Sequence, residues 1–228
     1  MRARRPPAGW AGHGDLEASL VLIFPVLLAY EIGVLFFGRV NGADVVTRLI
    51  FTLLGSKTLY LLVHAVVATL YLLWIRRQQR WGTLRFEIVA PVVLEAAIYA
   101  LTLGAVVTLV LERLLGLGVG GIGRDAIVSA LGAGVHEEIV FRLGLFAGLT
   151  SLLERRQQRF AMPVALVVSS VAFAAAHHLG AHGEPFTLHT FAFRSLAGAA
   201  FGAIFWHRSL AHAVYAHVLY DLVVVVTS

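Results

Sequence analysis

AIVSALGAGVHEEIVFRLGLFAGLTSL, residues 126–152, is apolar and long enough to cross a bilayer, yet it carries His136, Glu137, Glu138 and Arg142 near its middle. Roughly 20 mostly apolar residues suffice for a helix to span the hydrocarbon core. A charged side chain at the bilayer centre costs roughly 2.5–3.5 kcal/mol on insertion scales, so three of them together approach the net stability of a whole domain. If this stretch lies in a membrane, its charges must be paired, solvated or neutralised.

The rest of the chain settles the solvent. Of 228 residues, 59% are hydrophobic and 14% charged, and the mean hydropathy is +0.82, outside the range of soluble globular domains. Further apolar stretches run near 16–37, 49–75, 87–111, 161–180, 187–206 and 209–227. They predict an all-α, polytopic transmembrane helical bundle of about seven helices. The opening MRARRPPAGW has the basic character of a signal-peptide start. The apolar run behind it contains Glu31 and lacks a small-residue cleavage site, which predicts a retained first helix.

Orientation follows from the 17 arginines and one lysine. With the N-terminus in the cytoplasm, that side receives Arg2, Arg4, Arg5, Arg76, Arg77, Arg80, Arg85, Arg155, Arg156, Arg159 and Arg208, against Arg39, Arg48, Arg113 and Arg124 opposite. This asymmetry predicts a cytoplasmic N-terminus. The pI of about 10.1 thus reflects topology. The basic residues sit in short separate loops rather than on one face, so nucleic acid is not an expected partner. Cysteine is absent, which removes disulfides, thiolate ligands and a cysteine nucleophile. The preference for arginine over lysine suggests a GC-rich bacterial genome, and hence a bacterial inner or plasma membrane.

No linker or composition shift divides the chain, so residues 1–228 are expected to form a single membrane domain, with N-terminal helices in 1–124 and a catalytic helical core in 125–225. The strings RRQQR at 76–80 and 155–159 lack matching flanks and do not make a repeat. Polar residues in the first three helices (Glu31, Lys57, His64, Glu95) look isolated, whereas the last four carry a dense set. Chemistry is therefore expected in the C-terminal four helices.

Within the charged stretch, Glu138 and Arg142 stand one helical turn apart as an i,i+4 acid–base pair. Glu137 points about 100° away, on a face with Gly134, Phe141 and Gly144, where small residues let another helix approach closely. An unpaired carboxyl in apolar surroundings suits a general base acting on water. The same spacing recurs twice: Phe173 with His177 in FAAAH, and His217 with Asp221 in HVLYD. Three helices each presenting an acid or imidazole in this way form a candidate site. His178, His207, His182, His189 and His212 point elsewhere or sit at turns and are set aside, although His178 and His182 can line a cavity mouth. GLGVGGIG at 116–123 lacks the Lys-Ser/Thr of a phosphate loop, and HEEIV carries valine where a zinc-protease HExxH needs its second histidine.

Glu137-Glu138-Ile-Val-Phe-Arg142, Phe173-Ala-Ala-Ala-His177 and His217-Val-Leu-Tyr-Asp221 resemble, in order, the EExxxR, FxxxH and HxxxN/D motifs of the CPBP intramembrane proteases. That family includes the CAAX prenyl endopeptidases and bacterial bacteriocin-processing and self-immunity proteins. The resemblance covers about residues 125–225, with Arg194 to Gly202 also similar. It implies an endopeptidase in which Glu137 activates water, His177 helps to hold it, His217 and Asp221 polarise the scissile carbonyl and stabilise its oxyanion, and Glu138, Arg142 and Phe173 support the site. Asp221 departs from the commoner asparagine, and an ionised carboxylate cannot donate to an oxyanion. It must be protonated, or else orient His217.

No metal is assigned from the sequence. Zinc is possible, with His177 and His217 as ligands, but no tight ligand spacing favours it. The expected partners are a membrane-associated peptide or protein substrate and the lipid bilayer. Two other classes use such residues. A proton-coupled transporter would bury the same acids and imidazoles, against which stand the short chain and the lack of an inverted repeat. A non-catalytic immunity or assembly protein would carry a degenerate site, whereas here every motif position except the Asp/Asn choice is intact.

Overall fold

The computed structural model describes residues 16–37, 52–109, 126–156, 159–179 and 185–227, and every regular element among them is helical. Helix α1 is Leu16–Phe37, α2 Lys57–Arg77, α3 Phe86–Leu109 and α4 Ala126–Glu138. The last of these runs through a π-helical stretch, Ile139–Phe146, into α5, Ala147–Arg155. Then come α6 at Ala161–Ala176, α7 at Leu188–His207 and α8 at Leu210–Thr227. With α4, the π stretch and α5 forming one rod, the expected all-α, multi-pass membrane bundle is present. Among the described residues, four helices are long and apolar enough to cross a membrane, Leu16–Val34, Thr58–Arg77, Phe86–Val106 and Leu188–His207, while Ala161–Ala176 and Leu210–Val224 are apolar but shorter.

The second helix departs from the hydropathy reading. Its apolar run continues back to residue 49, but the helix proper begins at Lys57. Gly55 takes φ +66°, a left-handed conformation that glycine adopts without penalty. Ser56 is extended and caps the new helix by accepting from the Leu59 N–H at 3.1 Å. Hydrophobicity does not register such a break, because the two residues that make it carry no charge. The glycine-rich segment 116–123, the outer-side arginines Arg39, Arg48, Arg113 and Arg124, and His182 lie outside the described residues.

Helix α8 occupies the centre, packed against α1, α3, α4 and α7. Its Ala211, Ala213, Val214 and Ala216 are fully buried, so neighbouring backbones come close on several sides. Gly134 of α4 makes one such approach. A Cβ there would collide with the Val218 side chain and lie 3.1 Å from the Val218 nitrogen and 3.3 Å from the Val214 oxygen. We expect Gly134→Leu to destabilise the bundle by about 1–3 kcal/mol through overpacking. Thermal unfolding in detergent checks this, and an unchanged melting temperature would refute the close approach.

Helix α2 is peripheral and exposes Leu62, Val66, Val67, Leu70 and Leu73, the surface expected of a helix facing acyl chains. It touches α1 through Phe24 and Tyr71, whose rings stack at 5.0 Å. A cavity of about 240 Å³ lies between α1 and α2.

Glu31, His64 and Glu95 of the first three helices are not isolated. Tyr60 donates to Glu31 at 2.8 Å, and His64 Nε2 lies 3.4 Å from the same carboxylate. Glu95 on α3 receives Arg208 at 2.5 Å, faces His212 at 3.4 Å and accepts from Tyr99. These partners come from different helices or from a neighbouring turn, so linear spacing reveals few of them. They supply the pairing that buried or half-buried acids require.

Candidate active site

The site is built where the π-helical stretch begins. Glu137 and Glu138 end α4, and Arg142 lies inside the i→i+5 turn that follows. Single π turns inside α-helices occur often at functional sites because they re-aim side chains without ending the helix. Glu138 and Arg142 are both fully buried, with Arg142 Nε 3.0 Å from Glu138 Oε2. The i,i+4 pair expected from the sequence is therefore present.

Its surroundings go beyond that pair. The other Glu138 oxygen, Oε1, accepts from His217 Nδ1 of α8 at 2.8 Å, so one carboxylate ties the charged helix to the last helix. Arg142 donates to the Gly198 carbonyl of α7 at 3.2 Å. Its guanidinium also sits over the Phe173 ring of α6, 4.5 Å from the centroid, a cation–π contact that suits a desolvated cation. Through these contacts Glu138 and Arg142 join four rods around one point.

Glu137 is also buried and meets a second edge of the His217 ring as well as His177. His177 Nε2 lies 3.5 Å from Oε1, and His217 Nε2 lies 3.8 Å from Oε2. Neither oxygen has a hydrogen-bond partner among the described residues. A buried carboxylate left so is costly. Asp221 lies 3.6 Å from His217 Nε2, and its side chain is 30% exposed, so it sits at the rim.

The two imidazoles are oriented alike. His177 Nδ1 donates to the Phe173 carbonyl at 2.8 Å, a one-turn bond possible because His177 closes the C-terminal end of α6. His217 Nδ1 donates to Glu138. Fixing the Nδ1 proton leaves Nε2 as the atom presented to Glu137 in both rings. The Phe173 ring packs edge-on against His177 at 4.8 Å and against Phe141 at 5.5 Å. Phe201 of α7 stacks on His217 at 4.4 Å with an interplanar angle of 14°.

Every residue singled out in the three motifs is thus brought together: Glu137, Glu138, Arg142, Phe173, His177, His217 and Asp221. Two groups from α7, the Gly198 carbonyl and the Phe201 ring, fall in the Arg194 to Gly202 stretch noted for its similarity, but neither was given a role. With Arg194 they lie at i, i+4 and i+7 on one helix face, a recurrence visible in the sequence only after His217 and Arg142 are known to need partners. The histidines set aside lie off the site. His212 faces Glu95 and bonds Ser209, His178 packs beside Phe186 and Phe191, and His189 stacks on Phe193.

Zinc does not fit this arrangement well. The imidazoles address different oxygens of Glu137, and no three histidine, aspartate or glutamate side chains among the described residues close on one metal position.

Comparison with known proteins adds one match. Residues 124–223 fit the family model described as Type II CAAX prenyl endopeptidase Rce1-like. No curated protein and no solved structure matches the chain. The matched segment begins just before α4 and ends within α8, so it contains all three motifs and the helices that bring them together. Over this helical core the chain is similar to the Rce1-like type II CAAX prenyl endopeptidases, and the match supports the resemblance to the CPBP membrane proteases.

Proposed function

We propose that the protein is an intramembrane endopeptidase that hydrolyses a peptide bond in or near the bilayer with a water activated by Glu137. The observation that carries this reading is the state of Glu137: a buried carboxylate with two unbonded oxygens, faced by imidazoles from two other helices at 3.5 and 3.8 Å. A water placed there donates one proton to Glu137 and the other to the unprotonated Nε2 of His177, which turns its lone pair outward to the substrate. The water oxygen bonds to the scissile carbonyl carbon, its proton passes to Glu137, and the carbonyl π pair moves onto oxygen. Collapse of that intermediate breaks the C–N bond, and Glu137 returns the proton to the leaving amine.

His217 serves the oxyanion. Its ring lies between Glu138 on one side and Glu137 and Asp221 on the other, at 2.8, 3.8 and 3.6 Å. Three carboxylates around one ring stabilise the imidazolium, in which Nε2 becomes a donor. Glu138 and Arg142 brace this ring from behind, and Phe201 fixes its plane. In this reading residues 125–225 carry the chemistry and residues 1–124 flank them in one membrane domain. The N-terminus is cytoplasmic and the membrane is the inner or plasma membrane of a bacterium. The contact of Arg80 with Glu17 at 2.8 Å, which joins the α2–α3 turn to the start of α1, supports placing both on one side.

Purified protein in detergent, incubated with a prenylated CAAX peptide and with its unprenylated counterpart, tests the activity when fragments are identified by mass. Cleavage of either peptide at one internal bond is expected, and the pair of peptides reports whether the lipid is required. Dialysis against a chelator is expected to leave the rate unchanged within about twofold, since the proposed steps run through Glu137 and the imidazoles. Loss on chelation with recovery on added zinc would replace the metal-free mechanism.

A further inference from the structure

The proposed reaction has an unbalanced charge. Glu137, Glu138 and Asp221 are three carboxylates within 4 Å of the His217 ring, and the fully buried Arg142 is committed to Glu138, the Gly198 carbonyl and the Phe173 ring. Asp221, placed where an oxyanion would form, adds a negative charge at the worst position for a developing alkoxide. An ionised carboxylate has no proton to donate.

Helix α7 offers the counterweight. Gly198 accepts from Arg142 and Phe201 stacks on His217, so these two residues mark the stripe of α7 that faces the site. One turn before Gly198, on the same stripe, stands Arg194, half-buried. The adjacent Phe193 meets Tyr220, the neighbour of Asp221, at 6.3 Å between ring centroids. From that stripe the Arg194 charge is near enough to act on both Glu137 and Asp221.

Resting on the endopeptidase reading, we propose that Arg194 is a further catalytic residue, whose guanidinium neutralises Asp221 and donates to the oxyanion of the tetrahedral intermediate. As the water oxygen bonds to carbon and its proton moves to Glu137, negative charge leaves Glu137 and appears on the former carbonyl oxygen. A cation that faces both positions stabilises the second more than the first once Glu137 is protonated. Arginine supplies a planar set of N–H donors that keeps its charge under all working conditions. Asp221 then holds the guanidinium in place rather than opposing the reaction.

The test is a double-mutant cycle read in kcat with the peptide that the wild-type protein cleaves. Arg194→Gln is expected to lower kcat about 100-fold or more, the usual loss for one oxyanion donor, with Arg194→Lys intermediate. Combining Arg194→Gln with Asp221→Asn is expected to recover at least about tenfold, because removing the opposing charge and adding an amide donor replaces part of what Arg194 supplies. A second readout is binding of the same peptide with a phosphinate in place of the scissile amide. Arg194→Gln should weaken the phosphinate about 100-fold while changing affinity for the uncleaved amide peptide, measured in the Glu137→Gln background, by less than about threefold. Wild-type rates in Arg194→Gln, or a double variant no faster than Arg194→Gln, would overturn the role of Arg194 alone. Failure of the wild-type protein both to cleave any peptide and to bind the phosphinate would overturn the endopeptidase reading together with it.

Discussion

Replacing Glu137 with glutamine is expected to abolish peptide cleavage, with a fall in rate of about 10³-fold or more, while the protein still inserts and unfolds at an unchanged temperature. Glutamine keeps the shape and can still hold a water, but it cannot take the proton that must leave the water as it attacks. General bases contribute typically about 10²–10⁴-fold, and the loss here belongs at the upper end because, among the described residues, no other carboxylate is faced by the Nε2 atoms of both His177 and His217. Glu138 is hydrogen-bonded to His217 and ion-paired with Arg142, and Asp221 meets His217 at 3.6 Å. Stability should change little, since neither Glu137 oxygen contributes a hydrogen bond to the described fold. Cleavage measured by mass, beside thermal unfolding of both proteins, decides the matter. Full activity in both Glu137→Gln and Glu137→Ala would remove the endopeptidase reading.

The second large effect concerns stability. Arg142→Leu should cost about 3–5 kcal/mol, because it strands the Glu138 carboxylate where no solvent reaches it. For a chain of this size that corresponds to a fall in melting temperature of about 6–20 °C. The double replacement Glu138→Leu with Arg142→Leu should be more stable than Arg142→Leu alone, since it removes both charges and not one. It should nevertheless be inactive, because His217 loses the Nδ1 acceptor that fixes its ring. An Arg142→Leu protein that melts like wild type would show that the Glu138–Arg142 pair is solvated, contrary to its burial. The contrast between the two predictions separates the roles of adjacent glutamates. Removing one disables chemistry in an intact bundle, and removing the partner of the other weakens the bundle itself.

The helical architecture was legible because a bilayer imposes a simple code. Every backbone polar group must be satisfied within its own helix, so each crossing shows as an apolar run of fixed minimum length. That code is blind to uncharged interruptions. It carried the second helix through Gly55 and Ser56, and it gave no sign of the π-helical turn at Ile139–Phe146, whose side chains are those of any membrane helix. The pairing of Glu138 with Arg142 was also legible, being local and set by helical pitch. The isolation assigned to Glu31 and Glu95 was mistaken for the converse reason: their partners Tyr60, His64, Arg208 and His212 stand far away along the chain.

By itself, then, the sequence determined a membrane-spanning all-α chain, the one-turn pairs on three of its helices, and the family that their order resembles. These follow from local periodicity and from the cost of placing charge in lipid. Helical pitch already leaves Glu137 as the unpaired one of two adjacent glutamates, and only the tertiary structure decided which side chains of other helices each of them meets. Glu138 is taken because His217 arrives from α8 with its Nδ1 on that carboxylate, and Glu137 is left facing two Nε2 atoms. Helices separated by up to some 80 residues meet with ångström accuracy because glycine and alanine let α8 sink against its neighbours, and that distance is a property of packing that no single helix encodes.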